Sequence, residues 1–181
     1  KEEINQLKEE NSQLKDKIVK LTDYLIALRG DPRGLNFFDF SDYSMKSVIG
    51  EGGTSSVKLV EKRKREKLAM KELKNLDYKS VKRFLSEGEV MFILRHPCIL
   101  DIVAVNYGDD NHAPSLILSL EPTSLELAIA NKTLEDIDKC RITVEIVLGM
   151  RYIHHHNYMH RDLKPSNILL SKDCQVRISD F

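Results

Sequence analysis

Residues 158–181 read YMHRDLKPSNILLSKDCQVRISDF. The apolar run Ile168–Leu170 and the alternating Gln175–Ile178 flank Ser171 to Cys174, a pattern that predicts a β-hairpin. In that register Asn167 lies near Ile178, two residues short of Asp180. The two side chains then share one edge, about two residues' rise apart. Hard oxygen ligands at one edge suit Mg²⁺, which keeps several waters and shares phosphate oxygens. Asp162 and Lys164 precede the hairpin on a loop. Asp162 could orient a hydroxyl and accept its proton, and Lys164 could offset charge on a transferring phosphoryl group. Positioning, a metal and electrostatic stabilisation are the parts phosphoryl transfer requires.

Upstream of the hairpin, residues 134–156 (LEDIDKCRITVEIVLGMRYIHHH) predict a long helix. Its closing histidines, His154 to His156, are either metal ligands or a solvated helix end, and the position before a loop favours the second. Two strands are expected in ILDIVAVNYGDD (99–110) and SLILSLE (115–121), and a helix in YKSVKRFLSEGEVMFILRH (78–96). Residues 43–74 read as three strands joined by a glycine-rich turn and a basic turn. The basic run Lys62 to Arg65 resembles a nuclear-import patch, but between two strands a solvated hairpin turn is the better reading.

The glycine-rich turn, IGEGGTSSV, places Gly50, Gly52 and Gly53 between strand-like runs. Glycine admits positive φ and close approach of a ligand to the backbone, whose N–H groups can face phosphate oxygens. A plain hairpin turn would carry the same residues. The following VKLVEK is strand-like, which excludes a dinucleotide-binding fingerprint opening a helix, and the P-loop lysine is missing. On the 80–95 helix, Val81, Phe84, Leu85, Met91, Phe92 and Leu94 form an apolar arc that contains Glu87. A carboxylate on an inward stripe needs a cation. Lys71, flanked by apolar residues in KLAMKEL, offers one from the sheet. Two unrelated surface charges are the alternative.

The first 29 residues have a different pattern. With Ile4 at position a of a heptad, a is Ile4, Asn11, Ile18 and Leu25, and d is leucine throughout. Four heptads without a slip predict a coiled coil over residues 1–29. Isoleucine at a with leucine at d favours a parallel dimer, and Asn11 fixes its register at some cost in stability. Glu3 and Glu10 at g face Lys8 and Lys15 at e across such a dimer. A lone amphipathic helix, a tetramer or a different partner chain are the alternatives. RGDPRG (Arg29–Gly34) breaks the pattern as a linker, taken as 30–39.

Of 181 residues, 31% are charged and 41% hydrophobic, and the net charge is zero. Neutrality gives no support for a nucleic-acid partner. No apolar run has the length to cross a bilayer. Cys98, Cys140 and Cys174 are odd in number and lack metal spacing, which reads as reduced thiols in a cytoplasmic protein.

HRDLKPSN (His160–Asn167) matches the catalytic loop H-R-D-L-x-x-x-N of protein kinases at every fixed position. SDF matches the start of D-F-G, LAMK resembles V-A-I-K, and GEGGTSSV resembles G-x-G-x-x-G-x-V with Ser55 in place of the third glycine. Residues 40–181 therefore resemble a eukaryotic-type protein kinase domain. Lys164 followed by proline looks like the serine/threonine type, with a looser similarity to the tyrosine-kinase-like group. The resemblance implies an α+β fold: a small lobe of antiparallel sheet plus one helix (40–121), then a partial helical large lobe (122–181). It implies ATP and Mg²⁺ as cofactors. Gly50, Gly52 and Val57 would cover the nucleotide, and Ala69 would line the adenine pocket. Lys71, paired with Glu87, would hold the α- and β-phosphates. Leu120 would be the gatekeeper and Glu121 would open the hinge. Asp162 would be the catalytic base, Lys164 a γ-phosphate contact, and Asn167 and Asp180 the metal ligands. His160 and Arg161 would be architectural.

The expected activity is γ-phosphate transfer to protein hydroxyls by a homodimer joined through residues 4–28. A pseudokinase scaffold or a coiled-coil interaction protein is the alternative. Ser55 is expected to loosen nucleotide binding. The chain stops before the D-F-G glycine, so this piece is expected to fold poorly and to be inactive.

Overall fold

The computed structural model describes residues 38–62, 66–108 and 111–181. The expected coiled coil and most of the linker lie outside them, as does the centre of the basic turn. A five-stranded antiparallel sheet forms first along the chain: β1 (Tyr43–Glu51), β2 (Ser55–Lys62), β3 (Glu66–Leu73), β4 (Ile102–Asn106) and β5 (Ser115–Ser119). The spatial order is β1-β2-β3-β5-β4. Lys62 pairs with Glu66, so the basic run does join two hydrogen-bonded strands.

Alternation along β3 makes the small lobe. Leu68 and Met70 face one side, where they pack with Val60, Ile117 and Ala104 and with Phe38 and Tyr43. Ala69 and Lys71 have the opposite parity, shared by Leu116 and Leu118 across the ladder. That second face is covered by α1 (Tyr78–Ile93). Asp77 caps the helix by accepting the N–H groups of Lys79 and Ser80. Phe84, Gly88 and Met91 are its buried residues, at the spacing of one helical face. Gly88 lets the helix lie close to the sheet, since a Cβ there would come within 2.8 Å of a Leu116 methyl. Phe38 is buried, in edge contact with the rings of Phe40 and Tyr43, and Asp39 caps a 3-10 turn at Phe40–Asp42. The small lobe thus starts before Phe40, and the last two residues of the expected linker belong to it.

The second part contains β6 (Thr123–Ser124), α2 (Leu125–Ala130), α3 (Asp136–His155), β7 (Ile168–Leu170) and β8 (Val176–Ile178). β6, β7 and β8 form a small antiparallel sheet. α3 carries Asp136 and Asp138 in its first turn, where the helix dipole favours anions, and Asp138 reaches back to the N–H of Glu135. It buries Ile142, Gly149 and Ile153 against the hairpin. A Cβ at Gly149 would fall 2.7 Å from Ile178 and 3.2 Å from Cys98, so only glycine allows this approach. His154 and His155 are exposed at the helix end, and His156 packs on Tyr152. The hairpin is as expected, with one correction. Ile168 pairs with Ile178, so Asn167 faces Ser179 and stands one residue, not two, from Asp180. The Ser179 N–H donates to the Asn167 carbonyl at 2.9 Å.

The two parts are joined through the segment after α1. The Ile178 N–H donates to the Cys98 carbonyl, and the Leu100 N–H donates to the Ile178 carbonyl, at 2.8 and 2.9 Å. The strand that leads to Asp180 is thereby fixed to the end of the helix that carries Glu87. Among the described residues no helix is long and apolar enough to cross a membrane.

Candidate functional site

A cleft of about 890 Å³ is lined by the glycine-rich turn, β3, α1, the 157–167 loop and the end of β8. That volume suits a small-molecule ligand. Of the sequence-derived candidates it brings together Gly50, Gly52, Val57, Lys71, Glu87, Asp162, Lys164, Asn167 and Asp180.

The Lys71 ammonium is the centre of the cleft. Its Nζ donates to Glu87 Oε1 and to Asp180 Oδ1, both at 2.6 Å. Glu87 comes from α1 and Asp180 from a point 109 residues along the chain. The Lys71 and Glu87 side chains are each only 11% exposed, while Asp180 is 48% exposed. Burial pulls the lysine pKa down, but the two carboxylates outweigh it and the net shift is upward. Burial pushes Glu87 up, and the neighbouring Asp180 charge acts in the same direction. One ammonium against two carboxylates leaves the trio at a net charge of about −1.

The 157–167 loop lines the same cleft. The Asn167 side-chain amide donates to the Asp162 carbonyl at 2.9 Å and to its carboxylate at 3.0 Å. The Lys164 ammonium donates to the same carboxylate at 2.6 Å. That hydrogen bond holds Asp162 below its ordinary value and Lys164 above its own. Asp162 is therefore ionised at neutral pH and able to accept a hydrogen bond. With the Asn167 NH₂ engaged, its carbonyl oxygen is the group a hard cation would use. Together with the carboxylate of Asp180 it makes an oxygen donor set that fits Mg²⁺.

His160 joins the loop to the hairpin. It is buried, its Nε2 donates to the Ser179 carbonyl at 2.8 Å, and its Nδ1 accepts from the Asp162 N–H. These partners fix the neutral tautomer with the proton on Nε2. The ring also packs on Phe181, 5.1 Å between centroids. Arg161 and Asp180 both have left-handed backbone, with φ of 66° and 60°. Such residues cost about 1–3 kcal/mol each and persist where their surroundings over-determine them. His160 contacts the neighbour of each.

None of the three glycines of the turn has positive φ, and a Cβ at Gly53 would meet nothing. Fold sterics leave that position open, and it lies outside the cleft lining. Ser55 is buried at the start of β2 and its carbonyl accepts the Gly52 N–H at 2.9 Å. Three candidates lie outside the cavity lining. Ala69 is buried on β3, two residues before Lys71. Leu120 follows the end of β5, and Leu118 is the residue paired with Ala69 on the Lys71 face. Glu121 faces Arg177, 3.7 Å away. Arg83 and Ser86 line the cleft from α1 and escaped the sequence reading. For Arg83 the spacing from Glu87 was the available signal, since i−4 shares its helix face; Ser86, at i−1, had none.

Removing the lysine should expose how the trio is balanced. Lys71→Met leaves Glu87 enclosed without a cation, at a cost of about 1–3 kcal/mol near pH 7, a discount on a fully buried pair. An unpaired Glu87 has its folded-state pKa raised further above 4.5. The variant should thus regain stability as pH falls from neutrality through that folded pKa towards 4.5. Lys71→Met/Glu87→Gln should recover part of the loss at pH 7. Thermal unfolding at both pH values checks this, and a single variant as stable as the unaltered protein at pH 7 contradicts it.

The protein kinase domain family matches residues 43–181. Curated relatives carry the same region. Extracellular signal-regulated kinase 2 of Dictyostelium discoideum is 29% identical over 143 residues, covering 77% of this chain and 39% of that protein. Mitogen-activated protein kinase 5 of Arabidopsis thaliana is 33% identical over 156 residues, covering 81% and 41%. The serine/threonine-protein kinase KIN28 of Saccharomyces cerevisiae is 29% identical, covering 77% and 47%. The chain thus spans less than half the length of these relatives. With its cleft, its joined lobes and this match over residues 43–181, the chain belongs to the protein kinase domain family.

Proposed function

We propose that the whole protein is an ATP-dependent serine/threonine protein kinase, with the 890 Å³ cleft as its nucleotide site. The observation that carries the reading is the Lys71 ammonium held between Glu87 and Asp180 in the same cleft as the Asp162–Asn167 contact. Lys71 is placed to neutralise the α- and β-phosphates. Gly50, Gly52 and Val57 cover them, Ala69 lines the adenine side, Leu120 acts as gatekeeper and Glu121 opens the hinge. Asn167 and Asp180 would hold Mg²⁺, which when bound offsets phosphate charge. Asp162 orients the acceptor hydroxyl and takes its proton, and Lys164 offsets charge on the transferred group. Lys164 followed by Pro165 supports hydroxyls of serine and threonine as acceptors, as do the names of the relatives.

The heptads of residues 4–28 support a parallel homodimer, which would raise local concentration and favour transfer in trans. A monomer at micromolar concentration in sedimentation equilibrium would rule this out. The 181-residue chain alone is not expected to transfer phosphate. One flank of α3 leaves Ile137, Val144, Val147 and Leu148 exposed, a face that favours association over a soluble active domain. A scaffold that binds partners without chemistry is the second reading, and the complete set of Lys71, Glu87, Asp162, Asn167 and Asp180 disfavours it.

Asp162→Asn in the full-length protein should lower phosphate transfer to a generic protein substrate by roughly 10²–10⁴-fold, with nucleotide binding retained. A variant that transfers phosphate at the unaltered rate would remove Asp162 from the role of base.

A further inference from the structure

We propose that Lys74 is a positioning residue for the glycine-rich turn. It pins the turn from outside the cleft and neutralises Glu51 on the phosphate side. The inference rests on the nucleotide-site reading above. Lys74 is the residue after β3 and reaches across the hairpin at three points. Its N–H donates to the Thr54 carbonyl at 2.9 Å. Its ammonium donates to the Gly52 carbonyl at 3.0 Å and pairs with the Glu51 carboxylate. Glu51, Gly52 and Thr54 all line the cleft, whereas Lys74 does not.

Two physical needs meet in this contact. The first is shape. The turn is closed by the Gly52 N–H donating to the Ser55 carbonyl, while Gly53 makes no close packing that would fix its position further. Among the described residues no other side chain hydrogen-bonds residues 51–54, so the lysine is the side-chain tie that adds to the Gly52–Ser55 backbone bond in holding the turn over the cleft. The second is charge. Glu51 is the only acidic residue of the turn, and a carboxylate in a phosphate cover repels a polyphosphate. Lys74 offsets that repulsion. The neighbouring acid Glu72 is engaged by Lys58, so the Lys74 ammonium is not shared with it.

The pair is substantially exposed, with side chains 40% and 60% accessible, so the effect is modest. In the full-length protein, Lys74→Met should weaken Mg·ATP binding about three- to fivefold, the scale of an exposed ion pair. Adenosine, which lacks phosphates, should bind as before to within about twofold. Glu51→Gln placed on Lys74→Met should recover part of the ATP affinity, and Lys74→Arg should keep most of it. Displacement of a fluorescent nucleotide reads all four proteins. Equal loss of ATP and adenosine would reduce Lys74 to a general structural role and overturn the inference, as would unchanged ATP affinity in Lys74→Met. An unaltered protein that does not bind Mg·ATP would instead overturn the nucleotide site itself, and this inference with it.

Discussion

The structure depends on one ammonium group held by two carboxylates from opposite directions. Lys71 belongs to the central strand of the small sheet, Glu87 to the helix packed on it, and Asp180 to the end of the large-lobe hairpin. The strand and the helix are consecutive in sequence, but Asp180 lies 109 residues beyond Lys71. A buried ion pair contributes little net stability, because desolvation offsets its attraction, but losing one partner is costly. The contact therefore acts less as glue than as a constraint on arrangement. Only when α1 lies on the sheet, and β8 is tied to the segment after α1, can all three groups meet.

The surrounding fold supplies those conditions by close approach. Gly88 admits Leu116, and Gly149 admits Ile178 and the Cys98 backbone. The backbone pairing of residues 98–100 with Ile178 then carries the position of α1 to the hairpin. His160 fixes the last step, with one ring nitrogen on each side of the left-handed pair Arg161 and Asp180. Backbone strain at those two residues is thus held where the polar groups converge, as is common at functional sites.

Much of this was legible in the sequence. The strands followed from alternation, α1 and α3 from helical periodicity, and the hairpin from its turn. Glu87 was marked by lying on an apolar arc, a local conflict that only a cation could resolve. Other features were not legible. The one-residue register of Asn167 depends on which bonds close the Ser171–Cys174 turn, and composition does not set them. α2 is six residues long, too short for periodicity to register. The contacts of Lys74 join two ends of a hairpin and have no sequence signature beyond a lysine near a strand end. The burial of Phe38 had no sequence signal, because it depends on its packing with the rings of Phe40 and Tyr43.

The central claim is that these groups converge on a magnesium-bound polyphosphate. Calorimetric titration of the full-length protein with ATP, with and without Mg²⁺, tests it most directly. The account predicts a single saturable site with magnesium and much weaker binding once the metal is chelated. No heat of binding with magnesium present, or an affinity indifferent to the metal, would contradict it.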